Sequence, residues 1–251
     1  MMSTHIEPVT ADPVRRVTRP IMIQGWRNLA SLHWRYRAEE VQKILPQGYR
    51  VDTFEGDAWV GLIPFHMRRI RLPKLPPLGP LSTFPETNIR TYIVDPEGRR
   101  GVWFASLDVT RLIPALVARA TYRLPYCWSR MSIEETGDVI TYSSERRWPR
   151  STKGARSTMS IRRGDRISPE DITELEHFLT ARWALGTTLG SRLMWAEVDH
   201  PAWPLHRAEV LSWDETLLRA AGLPEPRGQP VALYSPGVEV RIGLPERIWS
   251  S

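Results

Sequence analysis

Apolar and polar positions alternate most clearly in two neighbouring stretches. Residues 88–94 and 102–107 are rich in β-branched and aromatic side chains, the signature of half-buried strands. Between them, Asp95-Pro96-Glu97-Gly98 puts Asp first, Pro second and Gly fourth, as a type I turn requires. The three segments predict a β-hairpin. Residues 139–147 and 157–163 predict a second hairpin. Further strands are expected at 58–67, 193–198, 208–211, 231–233 and 238–242. Helical periodicity is shorter and sparser. Residues 38–45 carry it and stop at Pro46 and Gly48. Residues 110–122 carry it too, with Pro114 in the first turn, where a missing N–H costs little. Ser168-Pro169-Glu170-Asp171 reads as a helix start with Ser168 as N-cap, and Ile172, Leu175, Phe178 and Leu179 supply its apolar face. Ser212-Trp213-Asp214-Glu215 has the spacing of a capping box, closed by Gly222 and Pro224. The proline-rich run 71–80 reads as an ordered loop, since proline cannot sit in a central strand. Many strands with few helices between them predict an antiparallel-rich α+β fold.

Composition narrows the class. The chain has 251 residues, 41% hydrophobic and 25% charged, which suits one large domain with a sizeable core. Residues 1–20 read as a flexible polar tail, and 21–251 as a single domain. No apolar run reaches the length of a membrane span, so no membrane partner is expected. The single cysteine, Cys127, excludes an intramolecular disulfide. It and the lack of an apolar leader at the N-terminus lead to an expected cytoplasmic location. No cysteine or histidine spacing suits a metal, and neither metal nor cofactor is expected. Eleven tryptophans can fill a core or line a ligand cavity.

The net charge of +6 sits in one place. Residues 145–166 hold eight cations against two acids, and the rest of the chain is balanced. Such a segment can dock an acidic partner. It lacks the interleaved aromatics of a base-stacking platform, which argues against nucleic acid. A solvated hairpin tip is the simpler reading. Lysine is scarce: Lys43, Lys74 and Lys153 are the only three among 34 cations.

The first hairpin carries the candidate chemistry. Side chains alternate across a strand. If Val94 pairs with Val102, Arg90 lies opposite Ser106 and Asn88 opposite Asp108. Glu86, Asn88, Arg90, Ser106 and Asp108 then share one face. That pattern also fits a sheet with one solvated face. As a closed cavity, it is a small-molecule site. Arg90 would clamp a carboxylate through parallel N–H donors. A desolvated Glu86 or Asp108 would move a proton.

The stretches HWRY (33–36), VDTFEGDAWVGLIPFHM (51–67), FPETNIRTYIV (84–94) and GVWFASLD (101–108) occur in order. They are followed by Ala118, Arg119, Tyr122, Leu124, Pro125 and Tyr126. Together these resemble the YqjF-like bacterial family of unknown function, which is similar to the acetoacetate decarboxylase-like superfamily. The resemblance implies a strongly bent antiparallel sheet, forming a cone or barrel around a cavity, with helices packed outside. Decarboxylases of that superfamily place a lysine pair after a Phe-Pro-like dipeptide. Here Leu124-Pro125 is followed by Tyr126 and Cys127, so the resemblance implies the fold and the cavity without the Schiff-base lysine. It also gives a weaker match of the decarboxylase glutamate to Glu86.

Tyr122 and Tyr126 are candidates to hydrogen-bond a carbonyl or enolate oxygen, although buried tyrosines with satisfied hydroxyls are the plainer reading. A packed thiol is the plainer reading of Cys127. His33 and His66 fall in the quoted motifs and can reach a cavity, His33 being the one taken as a ligand contact. His177 reads as a boundary residue. Three functions remain open. The first is metal-independent lyase, isomerase or cyclase chemistry on a small carboxylate or β-dicarbonyl compound. The second is a non-catalytic small-molecule binder. The third is an interaction module built on residues 145–166. A homo-oligomer is compatible with all three.

Overall fold

A computed structural model describes residues 5–77, 79–110 and 124–248. Among the described residues fourteen strands form one sheet. In chain order they are β1 (Met22–Tyr36), β2 (Arg50–Val51), β3 (Thr53–Phe54), β4 (Asp57–Arg71), β5 (Phe84–Val94), β6 (Arg100–Val109), β7 (Tyr126–Thr136), β8 (Val139–Trp148), β9 (Arg156–Arg166), β10 (Ala184–Leu189), β11 (Arg192–Asp199), β12 (His206–Glu215), β13 (Val231–Ile242) and β14 (Glu246–Arg247). The described helices are short: α1 (Ala38–Gln42), α2 (Glu174–Thr180) and α3 (Leu217–Ala220). None is long and apolar enough to cross a membrane.

The sheet bends until its pairings close two circuits. One runs β6–β7–β8–β9–β12–β13–β1–β4–β5 and back to β6; the other leaves β6 through β10 and β11 and rejoins at β13. Most pairs are antiparallel, but β6 pairs in parallel with both β7 and β10. The first circuit is filled. Leu32 and Trp34 of β1, Leu62 of β4, Ile89 of β5, Ile140 and Tyr142 of β8 and Ile161 of β9 belong to one buried cluster, closed by Leu217 and Leu218 of α3. The second circuit has its own cluster around Tyr92, Val102, Phe104, Phe178 and Val240.

Both predicted hairpins form. Gly98 N–H donates to Asp95 O at 3.0 Å, closing the predicted turn, and β8 and β9 flank the basic loop. Three features differ from the sequence reading. The strands expected at 231–233 and 238–242 are one strand, β13, which runs through Pro236 and Gly237. Gly237 has φ +115°, and a Cβ there would lie 1.8 Å from Trp26 O, so glycine lets the strand bend against β1. The helix expected from Ser168 begins later. Residues Pro169–Asp171 form one 3-10 turn, and α2 starts after Thr173, whose side chain and Glu176 cap each other. Ser212–Glu215 is the end of β12, and Glu215 Oε2 accepts from Leu218 N–H at the start of α3.

The helix expected over 110–122 lies outside the described residues beyond Thr110. Residues 5–20, read as a tail, contact the sheet. Glu7 N–H donates to Gly98 O at 2.9 Å, Trp183 Nε1 donates to Thr10 O at 3.0 Å, and Val17 is buried.

Candidate functional site

A pocket of about 90 Å³ lies in the second circuit. That is room for about three waters at about 30 Å³ each, the size of a short organic acid. Its wall is mostly apolar, with Met22, Trp26, Val102, Phe104, Leu107, Leu185 and Trp203 contributing. Polar groups enter chiefly from β5, where Glu86, Asn88 and Arg90 alternate on the inward face, and from Arg182, just beyond α2. Tyr126 and His200 complete the wall.

Glu86, Asn88 and Arg90 thus share a face, as predicted, but Ser106 and Asp108 do not join them. The pairing is Val94 with Arg100 and Tyr92 with Val102, two residues away from the assumed register. A bulge at Ala105 then sets Arg90 opposite Phe104 while Ile89 faces Ser106. One extra residue in a strand turns the side chains beyond it to the other side. Ser106 and Asp108 therefore look into the first circuit, where β8 brings Arg146. Arg146 donates to Asp108 Oδ1 from Nε at 2.9 Å, to Asp108 Oδ2 from Nη2 at 2.5 Å and to Ser106 Oγ at 3.0 Å. Ser129 adds a bond to Asp108 at 2.6 Å. Asp108 is bound up in an ion pair away from the pocket.

His33 is also outside the pocket wall. It is fully buried, with Nε2 2.7 Å from Tyr92 Oη. Tyr92 Oη donates to Leu179 O at 2.7 Å, so it accepts from a protonated Nε2 of His33. Burial, and then the charge of Arg90, hold His33 well below its ordinary pKa. Tyr122 lies outside the described residues.

The end of α2 positions the cation. The Leu179 carbonyl, in its last turn, accepts from Arg90 Nη2 at 3.1 Å as well as from Tyr92, as the carbonyl end of a helix favours. Glu86 is 2% exposed. Burial pushes its pKa up to about 8, against a hydrogen bond from Asn88 and helped by the charge of Asp108. At neutral pH its carboxyl is therefore mostly protonated and can donate. Among the described residues, Glu86 Oε2, Asn88 Oδ1, Arg90 Nε and Arg182 Nη2 are buried without a hydrogen-bond partner. His200 is held neutral by burial, with its pKa lowered to about 4. It sits between Trp183 and Trp203, ring centroids 4.5 and 5.0 Å away.

None of the three lysines lines the pocket. Among the described residues, no three His, Cys, Asp or Glu side chains gather as a metal site would need. Sequence reasoning missed Arg182, which follows a helix end with no periodicity of its own, and Asp52, its partner at 2.7 Å, although Asp52 falls inside a quoted motif. The basic hairpin spends much of its charge internally. Arg147 pairs with Glu145, Arg156 with Asp214, Arg162 with Glu209 and Arg163 with Glu135.

Solved structures share this architecture. An acetoacetate decarboxylase-like enzyme from Sphingomonas wittichii RW1 superposes with a TM-score of 0.62 at 13% identity, covering 92% of this chain and 94% of that one. The enduracididine biosynthesis enzyme MppR, solved with pyruvate bound, gives 0.61 at 11% identity over 93% and 92% of the chains. Acetoacetate decarboxylase from Legionella pneumophila gives 0.60 at 11% over 99% and 98%. At these identities the likeness is one of fold: the acetoacetate decarboxylase-like fold, with a large bent sheet and few helices. The uncharacterized protein YqjF of Bacillus subtilis is 31% identical over 230 residues, 92% of this chain and 93% of that protein. The sequence profile of DUF2071, described as an uncharacterized conserved protein, matches residues 23–239, and the chain belongs to that family.

Proposed function

We propose that the second-circuit pocket binds a small carboxylate or β-dicarbonyl compound and that Glu86 exchanges a proton with it. The observation that carries this is the pairing, on one apolar wall, of an acid that burial keeps protonated with a half-buried guanidinium that, among the described residues, no carboxylate neutralises. Arg90 bonds a backbone carbonyl through Nη2 and keeps Nε unpartnered. A ligand carboxylate is the natural complement of that donor set. Glu86, as a neutral carboxylic acid, gives its proton to the carbonyl oxygen while solvent water takes the α-proton, forming the enol; the reverse step returns the enol proton to Glu86 and a solvent proton to the carbon. Asn88 holds the Glu86 side chain, and Tyr126 supplies a further wall group. The role first considered for Asp108 falls to Glu86 alone, because Asp108 faces Arg146. MppR, of similar fold, is solved with pyruvate and with a condensation product of pyruvate and imidazole 4-carboxaldehyde. That supports a 2-oxo acid as the first probe. With no lysine on the wall, the chemistry we propose is lyase, isomerase or cyclase proton transfer without an imine.

The test uses short 2-oxo acids and acetoacetate. Thermal stabilisation by the acid is expected in the wild type and lost in Arg90→Ala. Exchange of the ligand's α-protons with deuterated water, followed by NMR, is expected in the wild type and lost in Glu86→Gln while binding persists. Stabilisation that survives Arg90→Ala removes Arg90 from the site. Binding without any proton exchange makes the protein a carrier or sensor.

A further inference from the structure

Arg182 and the carboxylate behind it have no part in the proton transfer, yet they are built with care. Arg182 is 5% exposed. Its Nε donates to Phe178 O at 2.8 Å and its Nη1 to Asp52 Oδ2 at 2.7 Å. Its guanidinium lies over the rings of Phe178 and Tyr92, 4.3 and 4.6 Å from their centroids. Four contacts thus fix its plane, and the remaining Nη2 is buried without a partner in the pocket wall. Asp52 is itself 3% exposed, and its N–H donates to Tyr92 O at 2.9 Å. It also accepts from Arg100 Nη1 at 2.9 Å. One carboxylate therefore serves two guanidiniums, which leaves positive charge in excess at this end of the pocket. A buried charge without a counterion is costly. Arg90 reaches the same place: its guanidinium lies 5.8 Å from the Tyr92 centroid, and its anchor, Leu179, is three residues before Arg182.

We propose that Arg90 and Arg182 hold a single ligand carboxylate between them, and that Asp52 is the positioning residue that aims Arg182 at it. This rests on reading the pocket as a carboxylate site and narrows the ligand class. Among the described lining residues there is no third cation, and the rest of the wall is led by Trp26, Phe104 and Trp203. A second carboxylate would be desolvated against apolar side chains. The ligand is therefore a monocarboxylate with an apolar body.

The experiment measures calorimetric affinity of the full chain for 3-methyl-2-oxobutanoate, for its uncharged methyl ester and for the dicarboxylate 2-oxoglutarate. The wild type is expected to prefer the monoacid to both. Asp52→Asn and Arg182→Gln should each weaken the acid about tenfold to a hundredfold, the loss of one charged hydrogen-bonding contact, and leave the ester unchanged. Arg182→Lys should recover part of the loss. A purely structural Asp52 would weaken acid and ester together and preserve their ratio, which overturns the proposal. If Arg90→Ala abolishes acid binding while both Arg182 variants and Asp52→Asn bind as the wild type does, this inference falls and the carboxylate site stands. A wild type that binds no acid, or binds acid and ester alike, removes both. Should Asp52→Asn not fold, the Arg182→Gln and Arg182→Lys ratios decide.

Discussion

Replacing Glu86 by Gln isolates the acid from its environment, because the amide keeps the shape and removes the titration. The carboxyl has a folded-state pKa of about 8, raised first by burial, and an ordinary value near 4.3 in the unfolded chain. Below about pH 4 both states hold the proton, and the group contributes no pH dependence. Between pH 4.3 and 8 the folded state keeps a proton that the unfolded state has released. Stability then falls as pH rises, by about 1.4 kcal/mol per pH unit. The loss accumulates to about 4–5 kcal/mol by pH 8 and then levels off. Glu86→Gln has no such slope. Urea unfolding of wild type and variant at pH 5, 6, 7 and 8 gives the difference directly. The variant should gain on the wild type by several kcal/mol from pH 5 to pH 8, with an unchanged m-value. A stability difference that stays flat across this range means that Glu86 ionises normally in the folded protein. The proton-donor role fails with it.

Two further substitutions test the frame around the pocket. Asp108→Asn leaves Arg146 as an uncompensated buried cation and should cost about 3–5 kcal/mol in urea unfolding; the affinity of folded protein for the acid probe should not change, since Asp108 faces the other circuit. Gly61→Ala puts a Cβ 2.7 Å from His33 Nε2 and 2.9 Å from Ile63 Cδ1, and should cost roughly 1–3 kcal/mol by overpacking. Because His33 holds Tyr92, the double variant with His33→Ala should cost less than the two single changes combined, measured as a thermodynamic cycle.

The sequence made β5 legible because its alternation is strict: Glu86, Asn88 and Arg90 point one way, Ile89, Thr91 and Ile93 the other. Strand β6 was legible as a strand but not in register. Ala105 is an ordinary residue, and nothing in its type marks a bulge. Yet that residue decides whether Ser106 and Asp108 meet the ligand or Arg146. Strands β1 and β10 escaped prediction for a different reason. Parts of β1 and β10 are buried on both faces, which erases the period-2 signal. Arg182 and Asp52 are 130 positions apart, and the pairings β2–β5, β5–β6 and β6–β10 bring together the segments that carry them. Pattern reading works within an element, and this part of the site is made between elements.

The two circuits offer an internal comparison that bears on function. Both turn an arginine of the same sheet inward: Arg146, which is buried, in the first and Arg90, which is half-buried, in the second, where the buried Arg182 joins it from just before β10. In the first circuit, Arg146 is met by Asp108, Ser106 and Thr152, the last at 3.2 Å. Its charge is balanced within the fold. In the second, Arg90 has a carbonyl but no carboxylate, Arg182 shares its carboxylate with Arg100, and the nearby acid Glu86 is protonated rather than paired. The chain evidently can surround a buried guanidinium with partners where packing is the purpose. Leaving two guanidiniums under-neutralised beside a carboxylic acid, four residues apart on one strand from Glu86 to Arg90, costs stability that the apolar lining does not require. Such a cost is sustained where an anion from outside completes the balance, so the charge pattern and the small apolar volume point to the same occupant.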